Sequence, residues 1–316
     1  MFFGNSILGM DIDSKLIKIV ELNKKTGQLI NYKIIPAPKG AIKDGKINKP
    51  ELIGKRIKES LKESKIKTKK VVSGIPGRNV LSRYLTLPKM SLKELEEAIK
   101  WETQDYLSFF SEEVLTDFQI VEEVFVDNVK HQKILFVAVP LSVSEALLES
   151  IKKAGLNPIA IEINAISILR VFRHNYDQKN RLSAIINIGP EETNMIISYN
   201  GNLRLNRTIN IGCEDLAETG KHQAYLSTNT EGFINQVKRF INFYSSQNRG
   251  VEVKEILLCG EGSTIESIKD IFQQNFDIPV KMLDPCRKIK TDPRLNEDLF
   301  NKKNLLTSAI GMALRG

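Results

Sequence analysis

The sequence has few of the residues that mark secreted, metal-binding or membrane-spanning chains. Its 316 residues include three histidines and three cysteines, Cys213, Cys259 and Cys286. Because the cysteines are widely spaced and form no CxxC pair, they favour structural thiols over a disulfide framework or a metal site. The most apolar run, ILFVAVP at 134–140, is far shorter than the ~18 residues needed to span a bilayer.

The opening residues, MFFGNSILGMD, lack the basic start and the apolar core of a targeting signal. We therefore expect a cytoplasmic chain. Glycine and proline are also modest, at 19 and 11 residues, and 41% of the residues are apolar, so disorder and fibrous repeats are excluded. The length exceeds a typical domain of roughly 100–200 residues, which predicts two lobes or one lobe with insertions.

An internal repeat supports two lobes. Residues 6–35 read as three short strands, SILGMDI, KLIKIVEL and QLINYKII, and residues 182–210 repeat that order. A gapless alignment of the two stretches places Asp11 opposite Asn187. Helix and strand patterns follow each copy, so the sequence predicts a duplicated α/β fold with a cleft between two lobes.

A third unit lies between the copies, at about 86–158. It begins with a capping-box spacing, Ser91 followed by Glu94, ahead of an amphipathic helix. Strand patterns follow at 117–126 and 133–140, and then a second helix. These patterns predict a small inserted αβ subdomain.

Three turns could hold phosphate groups. The DIDSKLIK bend offers a hydroxyl, two lysines and an acid able to hold Mg²⁺ through water. Its counterpart NIGPEET and the turn CGEGS offer glycines and hydroxyls. Acid-rich hairpin turns are abundant for purely structural reasons, so each turn taken alone favours the structural interpretation. Their joint occurrence at duplicated positions favours a ligand site.

These motifs resemble a known superfamily. DIDSKLIKIVEL, NIGPEETNMII and LLCGEGSTIESI look like the phosphate-1, phosphate-2 and adenosine motifs of actin-like ATPases. AIKWETQDYLSFFSEEVLTDFQIV and SAIGMALRG resemble the insert and final helix of the PilM family of type IV pilus assembly, which is FtsA-like. The resemblance implies a first lobe at 1–85 with 159–180 and 305–316, an insert at 86–158, and a second lobe at 181–304 with a shortened subdomain at about 211–254.

The resemblance implies ATP with Mg²⁺ as cofactor and Asp11 as a metal-holding residue through water. The implied nucleotide residues are Asp11, Asp13, Ser14, Lys15, Lys18, Gly189, Glu191, Thr193, Asn194, Gly260, Gly262 and Ser263. Two departures predict weak, magnesium-dependent binding without significant hydrolysis. Asp13 replaces the family's glycine and adds a negative charge where phosphate oxygens would lie, which repels them. Asn187 replaces the family's aspartate and cannot hold a metal as strongly. The alternative is an active ATPase that polymerises or cycles in conformation, with Glu162, Glu191 or Glu192 orienting water, although none has a distinctive spacing.

The resemblance also implies a scaffold at the inner face of the cell membrane. Its groove between first lobe and insert would take up the N-terminal tail of a PilN-like membrane protein, and other pilus assembly components would bind elsewhere. The residues that suit an extended apolar tail are Tyr84, Leu85, Leu87, Trp101, Tyr106, Phe109 and Phe110. The alternative is that these side chains are simply core.

Positive charge is concentrated at 43–70. This segment contains eleven lysines and arginines but only four acids, and its excess accounts for most of the net charge of +8. A solvated helix face is the commonest origin of such a run. Peripheral contact with an anionic membrane is a second interpretation. We expect no nucleic-acid partner, because few aromatics are interleaved and no known binding module is present.

Overall fold

The computed structural model describes residues 5–177, 179–216, 228–248 and 251–315, in which strands and helices alternate along the chain. The strands are β1 Ser6–Ile12, β2 Leu16–Asn23, β3 Gln28–Pro36, β4 Ile42–Lys43, β5 Lys46–Ile47, β6 Lys70–Ile75, β7 Leu81–Pro88, β8 Val114–Val126, β9 Val129–Pro140, β10 Asn157–Ile163, β11 Leu182–Ile188, β12 Thr193–Tyr199, β13 Asn202–Ile209, β14 Glu255–Cys259 and β15 Val280–Met282. The helices are α1 Pro50–Glu63, α2 Leu92–Leu107, α3 Leu141–Lys153, α4 Asn164–Asn175, α5 Cys213–Leu216, α6 Thr228–Gln247, α7 Ile268–Asn275, α8 Asn296–Lys302 and α9 Thr307–Ala313.

The two lobes contain five-stranded sheets of the same design. The first has the order β10-β6-β1-β2-β3 and the second the order β13-β12-β11-β14-β15. In each, three antiparallel strands are followed by two parallel ones. Asp11 pairs with Lys18 across the first hairpin, and Asn187 pairs with Asn194 across the second. The duplicated α/β fold predicted from the sequence is confirmed, and these equivalent pairs reproduce its alignment.

Both faces of the first sheet are covered, which explains why β1 is buried along its whole length. α1 and α3 pack on one face and α4 and α9 on the other. α9 lies so close to β1 that a Cβ at Gly9 would come within 1.9 Å of the carbonyl oxygen of Ala309. Glycine is therefore required at that position.

The insert is a three-stranded antiparallel sheet, β7-β9-β8, with α2 on one face. The predicted capping box is present, because the Ser91 side chain accepts from the backbone of Glu94 and the Glu94 carboxylate accepts from the backbone of Ser91. β7 pairs with β9 over its full length, beginning at Leu81, whereas α3 packs on the first lobe. The insert's sheet thus begins a few residues before the predicted boundary at 86, and the domain boundaries as a whole stay a prediction.

The second lobe is covered by α6 and α7. Of the predicted shortened subdomain, residues 217–227 and 249–250 lie outside the described residues. The sequence STIESIKDIFQQNF predicts a helix capped by Ser263 or Thr264, but α7 begins later, at Ile268, after a 3₁₀ turn at Glu261–Thr264. The reason is that the Ser263 hydroxyl donates to the carbonyl of Gly260, at 2.6 Å. Among the described helices, none is long and apolar enough to cross a membrane.

Candidate functional site

The first turn, between β1 and β2, is held together by the side chain of Asp13. Its Oδ1 accepts from the backbone N–H groups of Lys15, at 2.9 Å, and Leu16, at 2.8 Å. This is the local hydrogen bonding for which aspartate is favoured in turns. The carboxylate that was expected to face phosphate oxygens is thus folded back onto its own loop and engages two of the amide donors that a phosphate would need.

A buried cluster joins this turn to the second lobe. We call it the Lys18 cluster: Lys18, Asp11, Asp13 and Glu261. The Lys18 ammonium donates to Asp13 Oδ2 in a short hydrogen bond, lies 3.4 Å from Asp11 Oδ2, and lies 2.9 Å from Glu261 Oε1. Lys18 itself is 4% exposed. One ammonium therefore pairs with acids from both lobes.

The titration behaviour of the Lys18 cluster follows from burial and from this pairing. Burial would lower the pKa of Lys18, but the carboxylates of Asp13, Asp11 and Glu261 together raise it well above its ordinary value. Burial raises the pKa of Asp11, and Lys18 offsets part of that effect. Burial also raises the pKa of Glu261, to about 7, despite Lys18. Lys18 is therefore charged at neutral pH and has no spare charge for an incoming phosphate.

The second turn, between β11 and β12, contacts the first half of the chain. The carboxylate of Glu192 accepts from the backbone N–H groups of Gly77, at 3.0 Å, and Arg78, at 3.1 Å. The Arg78 guanidinium returns the contact by donating to the carbonyl of Glu191, at 3.1 Å. Because Gly77 and Arg78 follow the last residues of β6, these bonds fasten the turn of one lobe to the strand end of the other.

The third turn follows β14 and brings Glu261 to the cleft. Gly260 has φ +83°, and a Cβ there would lie 2.5 Å from the carbonyl oxygen of Ile188. Both the left-handed backbone and the close approach require glycine. The turn thereby packs directly on the end of β11 and aims the Glu261 carboxylate at Lys18.

The three turns surround a small cavity of about 60 Å³. Such a volume holds a few water molecules, since one water needs roughly 10–15 Å³ on this measure. Five carboxylates line it, against the two cations Lys18 and Arg78. The lining acids are Asp11, Asp13, Glu191, Glu192 and Glu261.

The residues in this arrangement do not fit ATP with Mg²⁺. A triphosphate would meet an excess of carboxylates and two cations that are already paired, in a cavity smaller than ligand pockets of roughly 300–1,000 Å³. Within the described residues, no cluster of three or more His, Cys, Asp or Glu side chains is arranged to hold a metal ion. The ammonium of Lys18 lies among the acids that would otherwise attract a cation.

Most of the predicted nucleotide residues lie at this cavity. Its lining includes Asp11, Asp13, Ser14, Lys18, Gly189, Glu191, Asn194 and Gly260. Lys15 instead forms an exposed ion pair with Glu214, and Thr193 donates to the carbonyl of Ile211. Within the third turn, Gly262 packs on Ile188 and the Ser263 hydroxyl donates to the carbonyl of Gly260. The prediction omitted Glu261, Arg78 and Asn164. For Glu261 a signal was present, because it is the one charged residue in CGEGS.

The three acids proposed to orient water are all engaged. Glu162 lies away from the cavity, where Arg170 holds its carboxylate at 2.7 and 2.8 Å and Arg315 at 2.9 Å. Glu192 accepts the two backbone N–H groups described above. Glu191 is half-buried, 3.9 Å from Arg78. None of the three is placed as a free base.

A second and larger concavity separates the insert from the first lobe. We call it the tail groove, because it lies where the sequence predicted a groove for an extended tail. It has a volume of about 470 Å³ and is mainly apolar. Its walls come from β8 and β9 of the insert, and from β10, α3 and α4 of the first lobe. The apolar lining consists of Ile75, Leu115, Phe118, Leu135, Val137, Val139, Leu148, Ile161, Ile163 and Ile166.

Two sheet edges border the tail groove. β8 is the outer strand of the insert's sheet, and β10 is the outer strand of the first lobe's sheet. An outer strand presents unpaired backbone N–H and C=O groups to which an extended peptide can add. The charged residues of the groove are Glu162, which is paired with Arg170 and Arg315, and Asp117. The groove therefore combines apolar pockets with available backbone groups.

The seven predicted partner residues lie outside this lining. Trp101 and Phe109 are 78% and 86% exposed on the far side of the insert. Leu85 is buried in the insert's core, where Leu87 and Phe110 also pack. Tyr84 donates to the carbonyl of Leu203 in the second lobe, at 2.7 Å, and the Tyr106 ring lies 5.4 Å from the guanidinium carbon of Arg83. Their role in partner binding stays a prediction.

Comparisons with known proteins show the family and the fold of the chain. A family model described as type IV pilus assembly protein PilM matches residues 9–231 and 221–316. A solved structure, the PilM-PilN type IV pilus biogenesis complex, has a TM-score of 0.83 and 21% identity, with 98% of each chain covered. Ethanolamine utilization protein EutJ from Carboxydothermus hydrogenoformans has a TM-score of 0.53 and 10% identity, with 98% of this chain and 90% of that chain covered. The predicted duplicated actin-like fold is confirmed.

Proposed function

Because the chain belongs to the family of the type IV pilus assembly protein PilM, we propose that it is a scaffold of the pilus assembly platform. It binds the N-terminal cytoplasmic tail of a PilN-like membrane protein and lies at the inner face of the cell membrane. The observation that carries this proposal is the tail groove, an open apolar channel between two sheet edges. A structure of similar fold is titled as a complex of PilM with PilN, which supports the choice of partner.

The tail groove suits an extended segment better than a folded surface. A segment that pairs with the outer edge of β8 places alternate side chains toward the sheet's two sides, since side chains alternate along a strand. One set then enters the apolar lining around Leu115, Val137 and Leu148. The bound tail would ideally be short and apolar, with few charges.

The proposed scaffold does not require nucleotide to hold its lobes together. The Lys18 cluster and the contacts of Glu192 already join them. Weak, magnesium-dependent ATP binding without significant hydrolysis stays a prediction. For ATP to bind in the cleft, the ion pairs of Lys18 and Arg78 would have to separate. The alternative of an active ATPase has less support, because each candidate acid is already paired with an arginine or with backbone N–H groups.

We further propose that the basic segment 43–70 contacts anionic lipid. α1 exposes Lys55, Lys58 and Lys62, which have no carboxylate within 4 Å in the described part of the chain. α1 packs on α3, and Leu148 of α3 lines the tail groove. A membrane held against α1 would therefore be close to the place where a membrane-anchored tail is bound. Further pilus assembly components would bind the remaining surface.

The test is a titration of the folded protein with a synthetic peptide that copies the N-terminal tail of its PilN-like partner. Leu115→Arg introduces a charge into the groove at a side chain that is 48% exposed, so the fold should tolerate it. We expect the affinity to fall by about tenfold or more, because a buried unpaired charge costs several kcal/mol. Leu92→Arg, on an exposed leucine of α2 outside the groove, is the matched control and should bind normally.

The double variant Phe109→Ser with Phe110→Ser separates the groove from the aromatic surface. Loss of binding there, with normal binding in Leu115→Arg, would move the tail to the residues predicted from sequence. If the wild-type protein does not bind the peptide at all, the proposed partner is wrong.

A further inference from the structure

A pocket distinct from the cleft and the tail groove lies where the insert meets the second lobe. It has a volume of about 280 Å³ and is lined by the start of β7 on one side and the end of β13 on the other. Three arginines, Arg78, Arg83 and Arg207, contribute to its lining, and no acidic residue does. We call it the arginine pocket.

Two of these arginines lack counter-charges. Arg78 is paired with acids of the second turn and with Asp44. In the described part of the chain, Arg83 and Arg207 have no carboxylate within 4 Å. The Nε of Arg83 is buried and has no hydrogen-bond partner. Both side chains are half-buried, so each charge is partly withdrawn from water without an acid to compensate it.

The two unpaired arginines also act on each other. Burial lowers the pKa of Arg207, and repulsion by Arg83 lowers it further. Arg83 is held in place by the ring of Tyr106, 5.4 Å from its guanidinium carbon. Two cations that repel each other attract a shared anion, because one anion bound between them relieves the repulsion.

We propose that the arginine pocket binds a phosphate dianion, either free or as the terminal group of a small phosphomonoester. Arg83 and Arg207 supply charge-assisted donors, and the hydroxyls of Ser82 and Thr208 and the side-chain amide of Asn210 line the same space. Guanidinium groups match the paired oxygens of phosphate in a way that an ammonium does not.

The volume and position argue for a small ligand. At about 280 Å³ the pocket is at the lower end of small-molecule sites. It adjoins the contact between Tyr84 of the insert and Leu203 of the second lobe. An anion bound by Arg83 on one side and Arg207 on the other would therefore connect the insert to the second lobe. This site is independent of the tail groove and of the PilN-like partner.

The test is calorimetric titration of the whole chain with inorganic phosphate, with chloride at matched ionic strength as the blank. We expect saturable binding of one phosphate, weakened about tenfold or more in Arg207→Gln and in Arg83→Gln, because a charged hydrogen bond contributes ~1.5–3 kcal/mol. Arg207→Lys should bind with intermediate affinity. Arg56→Gln, on α1, is the matched control and should bind like the wild type.

A second titration, with glycerol 3-phosphate, distinguishes the two sources of the phosphate group. Tighter binding of the ester identifies a phosphomonoester, and tighter binding of the inorganic ion identifies free phosphate. Absence of saturable phosphate binding, or equal affinity in the wild type, Arg207→Gln and Arg83→Gln, would overturn the proposal. Circular dichroism of each variant ensures that lost binding is not lost folding.

Discussion

The cleft between the lobes and the tail groove beside the insert differ in almost every physical property. The cleft cavity is about 60 Å³, charged and crossed by ion pairs, whereas the groove is about 470 Å³, mainly apolar and bordered by outer strands. The cleft is filled by the chain's own side chains. The groove leaves apolar surface and backbone groups available, so it is the site better prepared for a partner.

The difference has a physical origin. Carboxylates are tolerated in the cleft because Lys18, Arg78 and backbone N–H groups pair with them. A cation that is paired in this way is not available to a phosphate. Apolar side chains in the groove are left partly exposed to water. Covering them with a ligand therefore gives a favourable hydrophobic contribution to the binding free energy. A filled cleft beside an open groove fits the proposed scaffold, because ion pairs already join the two lobes.

The largest effect on stability is expected from Lys18→Met, which removes the ammonium that pairs with the acids of the cleft. It leaves Asp11, Asp13 and Glu261 buried without a cation, and removing one partner of a buried ion pair costs ~3–5 kcal/mol of unfolding free energy. Urea unfolding monitored by circular dichroism measures the loss. Lys15→Met is the matched control, because Lys15 is exposed and forms an exposed ion pair with Glu214. Its loss should be below ~1 kcal/mol of unfolding free energy.

The same variant should show a distinctive pH dependence. In wild type the Glu261 pKa is already raised to about 7, and without Lys18 the acids bind protons still more readily when folded than when unfolded. Stability that depends on such protons is present at low pH and lost as pH rises. The deficit relative to wild type should therefore shrink from pH 8 to pH 5. A deficit that is the same at both pH values would assign the loss to packing of the lysine stem.

A smaller effect, on ATP affinity, is expected from Asp13→Gly, which removes one side chain from the cleft. It releases the N–H groups of Lys15 and Leu16 and removes one carboxylate, so ATP affinity in the presence of Mg²⁺ should rise by about three- to tenfold, the equivalent of roughly one hydrogen bond. Calorimetric titrations of both proteins, with and without Mg²⁺, provide the measurement. Tight wild-type binding without metal, or turnover of about 1 s⁻¹ or faster, would contradict the filled cleft.

The smallest effect is expected for membrane binding by the basic face of α1, which differs from both the cleft and the groove in being exposed and charged. Co-sedimentation with anionic vesicles should exceed that with neutral vesicles by a few-fold at low salt. The difference should fade toward physiological salt, where exposed charges are screened over ~8 Å. Lys55→Gln combined with Lys58→Gln should reduce it. Equal sedimentation with both lipids at low salt would leave the lysines as a solubilising surface.

Short-range patterns in the sequence were sufficient for much of the architecture. Alternating apolar residues predicted the strands of both copies, and the duplicated spacing predicted that Asp11 and Asn187 are equivalent. Ser91 and Glu94 predicted the start of α2 because a capping box involves residues three positions apart. Each of these features depends on neighbours in the chain, so its physics is present in the sequence itself.

Tertiary structure decided what these elements do together. Asp13 was expected to repel phosphate, but its carboxylate hydrogen-bonds the turn amides and Lys18. Lys18 was expected to attract phosphate, but Glu261 meets it from a turn that is distant in sequence and close in space. The groove is formed by the edges of β8 and β10, whose separation depends on how the insert is docked. Local patterns determined the turns and strands, because their interactions are short in sequence, whereas the pairing of buried charges was decided by packing, which brings distant residues together.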